Sequence, residues 1–290
     1  MTSSLITSRD PKGLDFMRKT EDKYNKAKLD EERAQRLNEN PEFWAALGHL
    51  IVQHSLTNQF ADEEVSSTWT YPEGYASKPI IEQIETLRKY FPELSVDLTI
   101  QFVSEVMPNI PLSDDEPFWF WSAFPRWEKI GATYNEAVER ILKVLASTRS
   151  FYNYRAGNMG SQYLQQQERS IIMYDQLKAQ QAGDILIVQS QFGLRHRGRS
   201  TRRAIEVFHH NEVGHGWCSG AAMMLTHPER EVRWEQLHTD LPGDKFAPDG
   251  DGRFSGAPIF GCSDGQLKTG TGGVGVAGDR YGSASWLLQQ

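Results

Sequence analysis

The stretch TGTGGVGVAGDRYGSAS, residues 269–285, contains GTGGVG at 270–275, the G-x-G-x-x-G spacing of a dinucleotide fingerprint. That chemistry needs a strand before the glycines and a helix after them, because the pyrophosphate rests on the helix N-terminus. Here the lead-in CSDGQLK (262–268) is turn-like, and no helical pattern follows. The motif reads as a chance match in a glycine-rich window, which removes the main argument for a doubly wound nucleotide-binding fold. What is left is a run of small residues that brings little burial and loses much conformational entropy on ordering. Such a run keeps one conformation only if the surrounding domain pins it.

Working upstream, GDILIVQSQFG (183–193) is a branched apolar run bounded by glycines, the mark of a buried strand. STRRAIEVFHH (200–210) has a Ser200 cap and helical spacing at Ala204, Ile205 and Phe208. AAMMLTHPEREVRWEQLH (221–238) reads as an apolar segment followed by a helix over 228–237. From Pro242 onward the text is turns and short strands. The first half is helical. Residues 10–40 are highly charged, with Leu14, Met17, Tyr24, Leu29 and Leu37 too sparse for a deep core, and read as one long surface helix. Pro41 opens a second helix, with Phe43, Trp44, Leu47, Leu50 and Ile51 as its stripe. Ile80, Ile81, Ile84, Leu87 and Phe91 mark a third. Thr133 and Glu136 stand in capping-box spacing before Val138, Ile141, Leu142 and Leu145. Helices followed by an irregular β-rich end give an α+β class, with a helical region over 1–150 packing on a β-rich domain over 151–290.

The 290 residues carry a net charge of −7, with 39% hydrophobic and 24% charged residues. An acidic balance argues against a broad nucleic-acid surface, leaving the basic run RHRGRSTRR (195–203) as a local exception. Its arginines are expected to tie the β-rich half together through carboxylates and backbone carbonyls. Cys218 and Cys262 allow at most one disulfide. No apolar run approaches a membrane span, and the N-terminal residues lack the apolar centre of a signal peptide. A cytoplasmic location is the default expectation, and surface display would need another route.

Three constellations could carry metal or thiol chemistry. In HHNEVGH (209–215), His209, Glu212 and His215 could ligate a metal in an enzyme, although four ligands would need a second cluster. Asp244, Asp249 and Asp251 alternate with glycines as calcium loops do. An EF-hand also wants a glutamate at its twelfth position, where Ser255 stands. Asx turns explain the aspartates otherwise, so calcium is optional and no cofactor is required. Cys218 beside His215 lacks a third orienting group for a thiol enzyme. The aromatics of PFWFWSAFPRW (117–127), including Phe118, Trp119 and Trp121, suit a packed seam better than a sugar platform.

From residue 269 to 285 there is no Lys, Gln, Glu, Met or Trp. FGLRHRGRS (192–200), LTHPER (225–230), WEQLH (234–238), GDKFAPDGDGRFS (243–255) and YGSAS (281–285) together resemble the variable proteins of diversity-generating retroelements of archaea and candidate-phylum bacteria. The resemblance implies a C-type lectin-like fold whose variable region, about 253–286 here, binds a protein or other macromolecular ligand, with no catalysis. In that family template adenines are replaced during reverse transcription. Codons derived from AAC or AAT can then reach many residue types but not Lys, Gln, Glu, Met or Trp. Gln266, Lys268 and Trp286 would accordingly be scaffold. The variable, ligand-facing set would be Gly256, Ile259, Gly261, Ser263, Asp264, Thr269, Thr271, Gly272, Val274, Val276, Asp279, Arg280 and Tyr281.

Overall fold

The computed structural model describes residues 7–55, 58–113 and 119–289; Phe118 of the aromatic run lies outside them. Contacts divide the chain into Met1–Ser55 and Leu56–Gln290. The first unit holds α1 (Pro11–Lys26), α2 (Glu31–Asn38) and α3 (Pro41–Ser55). The single helix expected over 10–40 is two. Lys28 takes a left-handed φ of 49°, and the Asp30 carboxylate then accepts the Arg33 N–H at 2.9 Å to start α2. No residue of α1 or α2 is buried, in keeping with their sparse apolar spacing.

The second unit runs α4 (Ile80–Tyr90), α5 (Asp97–Gln101), β1 (Phe120–Pro125), α6 (Tyr134–Thr148), β2 (Phe151–Asn153), β3 (Leu164–Gln166), α7 (Glu168–Gln180) and β4 (Ile185–Gln191). It continues with α8 (Thr201–Glu206), β5 (Glu212–Gly214), α9 (Trp217–Thr226), β6 (His238–Asp240), β7 (Asp244–Phe246), β8 (Gly256–Ser263), β9 (Gln266–Gly273), β10 (Tyr281–Ser283) and β11 (Ser285–Leu287). The class is α+β. The boundary expected at 150 falls instead after Ser55, because α4 and α6 bury their stripes in the same core as the strands. In α6, Thr133 accepts the Glu136 N–H at 3.2 Å and the Glu136 carboxylate reaches back to the Ala132 N–H at 3.0 Å.

One sheet is antiparallel, ordered β1-β4-β11-β5. All seven residues of β4 are buried, since β1 and β11 flank it and helices pack near β1. Its polar residues find partners: Gln191 donates to the Ser283 carbonyl and the Ser285 hydroxyl, both at 2.8 Å, and Ser190 meets His215 Nε2 at 3.0 Å. In the second sheet β8 pairs with β6, β7 and β9, while β10 lies parallel to β6 and β2 parallel to β9.

One further local expectation is overturned. Residues 228–237 form turns, not a helix; the helix is the preceding apolar segment, α9, which is buried nearly all round. Tertiary contacts override the local helical pattern. Arg230 and Glu231 are fully buried, Glu231 sits at φ 56°, and the Arg230 guanidinium lies 4.6 Å from the Tyr71 ring. Arg149 donates to the Arg230 and Glu231 carbonyls at 3.1 and 2.9 Å, so the turn's backbone is held from outside. In the Glu-x-x-His segment, Glu212 lies on β5.

Glu212 is a junction. Its Oε1 accepts from His196 Nε2 and from the Ser285 hydroxyl, each at 2.6 Å, and its Oε2 accepts the His209 N–H at 3.0 Å. Arg195 Nε lies 3.5 Å from Oε2. Burial pushes this carboxyl upward, but the His196 charge and hydrogen bond, with Arg195 and Ser285, hold it down at about 2. Removing one partner of a buried ion pair costs about 3–5 kcal/mol. Glu212→Gln is therefore expected to lower unfolding free energy by roughly that amount in urea titration; a loss within error would show that the junction is not structural.

Candidate functional site

Register decides which tail residues share a face. Side chains alternate along a strand, and directly paired residues lie on the same side. Ile259 pairs with Gly270, Gly261 with Lys268, Ser263 with Gln266, and Asp240 with Ile259. Tyr281 pairs with His238 and Lys268 with Tyr152. One open face thus collects Tyr281, His238 and Asp240, then Ile259, Gly261 and Ser263, then Lys268, Gly270 and Gly272, then the exposed Tyr152 and Tyr154.

Glycine keeps this face low. A cleft of about 450 Å³ lies over it, bordered by Tyr154, Trp234, His238, Ile259, Gly270 and Tyr281. A Cβ at Gly270 would stand 3.5 Å from the Tyr154 ring and one at Gly272 3.6 Å from Ile259, ordinary contacts that leave room for larger side chains. At Gly261 it would stand 2.9 Å from His238 Nδ1, so that position is sterically confined. The His238 ring is 1% exposed, packs edge-on against Trp234 and Tyr281 at 5.1 Å, and neither ring nitrogen has a partner among the described residues. Burial, with Arg230 and Arg280 nearby, lowers its pKa to about 4, so the imidazole is neutral at pH 7. The Arg280 guanidinium lies 4.5 Å from the Trp234 ring centre and 5.5 Å from that of Trp69.

The sequence-derived set separates accordingly. Ile259, Gly261, Ser263, Gly272 and Tyr281 share the open face. Asp264, Val276 and Asp279 are exposed, with Asp264 in the β8–β9 turn at φ 56°. Val274 is half-buried and its backbone is pinned, its N–H donating to the Ser255 carbonyl and its carbonyl accepting the Arg202 N–H. Alternation turns the side chains of Gly256, Thr269 and Thr271 to the other face, although Thr269 and Thr271 still border the cleft. Thr269 is 1% exposed; its hydroxyl accepts the Trp217 indole N–H at 2.8 Å and donates to the Ile259 carbonyl at 2.7 Å. The Thr271 hydroxyl accepts from Arg155 Nε at 3.0 Å. His238, Asp240, Tyr154 and Trp234 escaped the sequence reading of the site. The available signal was the polar run His238, Thr239 and Asp240 set between Leu237 and Leu241.

The metal candidates are held in other ways. His215 sits between the Ser190 and Ser219 hydroxyls, each 3.0 Å away, and burial lowers it to about 3. The Glu212 carboxylate is committed to the junction above, and His209 neighbours Arg195. Asp249 and Asp251 are exposed, and Asp251 accepts the Arg253 N–H at 3.0 Å as an Asx turn. Asp244 is fully buried on β7; its Oδ2 accepts the Tyr134 hydroxyl and the Trp217 N–H, both at 2.7 Å. Among the described residues no group of three or more His, Cys, Asp or Glu side chains is arranged to hold an ion. Both cysteines are free and buried. Three arginines of 195–203 bind carboxylates and a backbone carbonyl as expected, but these partners lie in the segment before α4 and not in the β-rich half: Arg202 holds Glu63 at 2.8 Å, Arg203 holds Glu64 at 2.5 Å, and Arg197 donates to the Trp69 carbonyl at 3.1 Å. No helix among the described residues is long and apolar enough to cross a membrane.

No model of a known protein family matches the chain, and no curated protein or solved structure is significantly similar to it.

Two predictions follow from the buried tail-side groups. Thr269→Val strands the Trp217 indole donor and is expected to cost about 1–3 kcal/mol, whereas Ser263→Tyr on the open face stays within about 0.5 kcal/mol. Equal costs in chemical denaturation would overturn the assignment of faces. Asp244, raised by burial from 3.8 to about 7, contributes stability in its protonated form. That contribution is fully present below 3.8 and is lost as pH rises through 7. Asp244→Asn should gain on the natural protein as pH rises across that window; thermal midpoints that stay parallel would refute it.

Proposed function

We propose that this protein is a ligand-binding protein that presents a diversified surface on a C-type lectin-like scaffold, in the manner of retroelement variable proteins. The observation that carries the reading is the gathering of Ile259, Gly261, Ser263, Gly272 and Tyr281 on one open sheet face over a glycine floor. The composition of 269–285 supports it, being free of the five residue types that diversified AAC or AAT codons cannot reach. Of the three residues outside that reach, Trp286 is in keeping with a fixed frame, being buried in β11. Aromatic walls from Tyr154, Trp234 and Tyr281 give such a surface large, stiff contacts of the kind that dominate binding energetics. The ligand is a protein or other macromolecule, and the α+β body serves as its support.

The test is a library at Ile259, Ser263, Gly272, Val276 and Asp279 admitting Tyr, Asn, Asp and Ser, scored by thermal melt and then selected on immobilised proteins. Surface changes of this kind shift stability by less than about 0.5 kcal/mol each. Most members should melt close to the parent and yield binders of differing specificity. A library that mostly fails to fold would overturn the display reading. So would neighbouring DNA without a near-identical repeat differing at adenines and without a reverse transcriptase gene.

A further inference from the structure

The open face carries a second hollow. Ile259 and Tyr281 border both it and the larger cleft, and Thr201, Ala257, Gly272, Gly273, Val276 and Gly278 complete its walls. Its volume is about 190 Å³, and Asp240 is its acidic group. Asp240 is 7% exposed, and its carboxyl makes no hydrogen bond or ion pair among the described residues. Its backbone carbonyl accepts the Ala284 N–H at 2.9 Å, which leaves the side chain for an incoming group. Glu231, the nearest acid acting on it, is itself engaged by Thr239. A buried carboxyl without a partner is costly, and proteins retain one where a function takes it up.

We propose that this hollow is a socket for a primary ammonium on an aliphatic stem, filled by a lysine side chain of the protein ligand. The inference rests on the display reading for the nature of the ligand. The walls decide the class. Ile259, Ala257, Val276 and three glycines suit a methylene chain, Tyr281 adds an aromatic wall, and Asp240 is a buried acid among them. An ammonium has three donors, and the site supplies the two Asp240 oxygens and the Thr201 hydroxyl, which itself donates to the Val274 carbonyl at 3.2 Å. A guanidinium would bring five donors to the same few acceptors and leave some unpaired. Burial, with the Glu231 charge second, raises Asp240 to about 7, and an ammonium beside it restores the carboxylate. Asp240 and Thr201 precede the tail, so the polar anchor persists while Ile259, Gly272, Val276 and Tyr281 vary, and the fit to a lysine stem belongs to the walls of this chain. Recognition then combines a fixed acidic anchor with a changeable rim.

The experiment titrates the full chain with N-acetyl-lysine methylamide and follows the backbone amide resonances of Gly272, Gly273, Val276 and Gly278. The uncharged isostere N-acetyl-norleucine methylamide and the arginine analogue serve as comparisons. Saturable shifts confined to these amides are expected with the lysine probe, with affinity weakened about tenfold or more in Asp240→Asn and for norleucine. Asp240→Asn keeps the shape and removes an unpartnered buried charge, so it should melt no lower than the natural protein. Norleucine binding as well as lysine, tighter binding of the arginine analogue, or no saturable shift in the natural protein would each overturn the socket. Absent shifts with a library that folds and binds would remove the socket alone. Lysine-probe shifts with a library that unfolds would leave an amine site and remove the display reading.

Discussion

Glu212 holds two distant parts of the second unit to its own strand. Its carboxylate takes His196 from the basic run, Ser285 from β11 and the His209 N–H from the approach to β5. A buried carboxylate tolerates no loss of these donors, so the strand order β1-β4-β11-β5 and the path of 192–200 are fixed together. The same demand for satisfaction recurs nearby, in Ser190 against His215 and in Gln191 against Ser283 and Ser285. The polar residues of β4 join its neighbours through side chains as well as through the sheet ladder.

That framework explains how so glycine-rich a tail keeps its shape. Small residues supply almost no packing energy, so their order comes from what brackets them. On one side β8 and β9 pair over their full length; on the other β11 enters the middle of the antiparallel sheet. Between them, Arg202 and Thr201 grip the Val274 carbonyl and Ser255 takes the Val274 N–H. The exposed Val276 therefore rides on a loop whose ends do not move independently of the core.

Much of this was readable from local pattern. Thr133 with Glu136, Pro41, the 185–191 apolar run and Ser200 each specify their element through a cap or a periodicity that needs no distant partner. The errors arose where distant contacts outweigh local preference. Residues 228–237 have helical spacing, but burying Arg230 between aromatic rings and holding the backbone with Arg149 bends them into turns. In the tail, composition marks the segment as unusual, yet only strand register separates Thr269, bonded to the Trp217 indole, from its neighbour Gly270 on the open face. Asp240 was hidden for a related reason: one acid in a short strand means little until its hydrogen bonds can be counted.

The place of β11 has a consequence for biosynthesis. Residues 285–287 insert between β4 and β5, which leave the ribosome about a hundred and about seventy residues earlier. Until then β4 and β5 present unpaired edges, the state that proteases and chaperones recognise. A stop codon or frameshift anywhere in the tail abolishes this insertion, whereas a change of side chain on the open face leaves it untouched. The topology thus makes closure of the antiparallel sheet depend on residues 285–287, the last of its four strands to be synthesised.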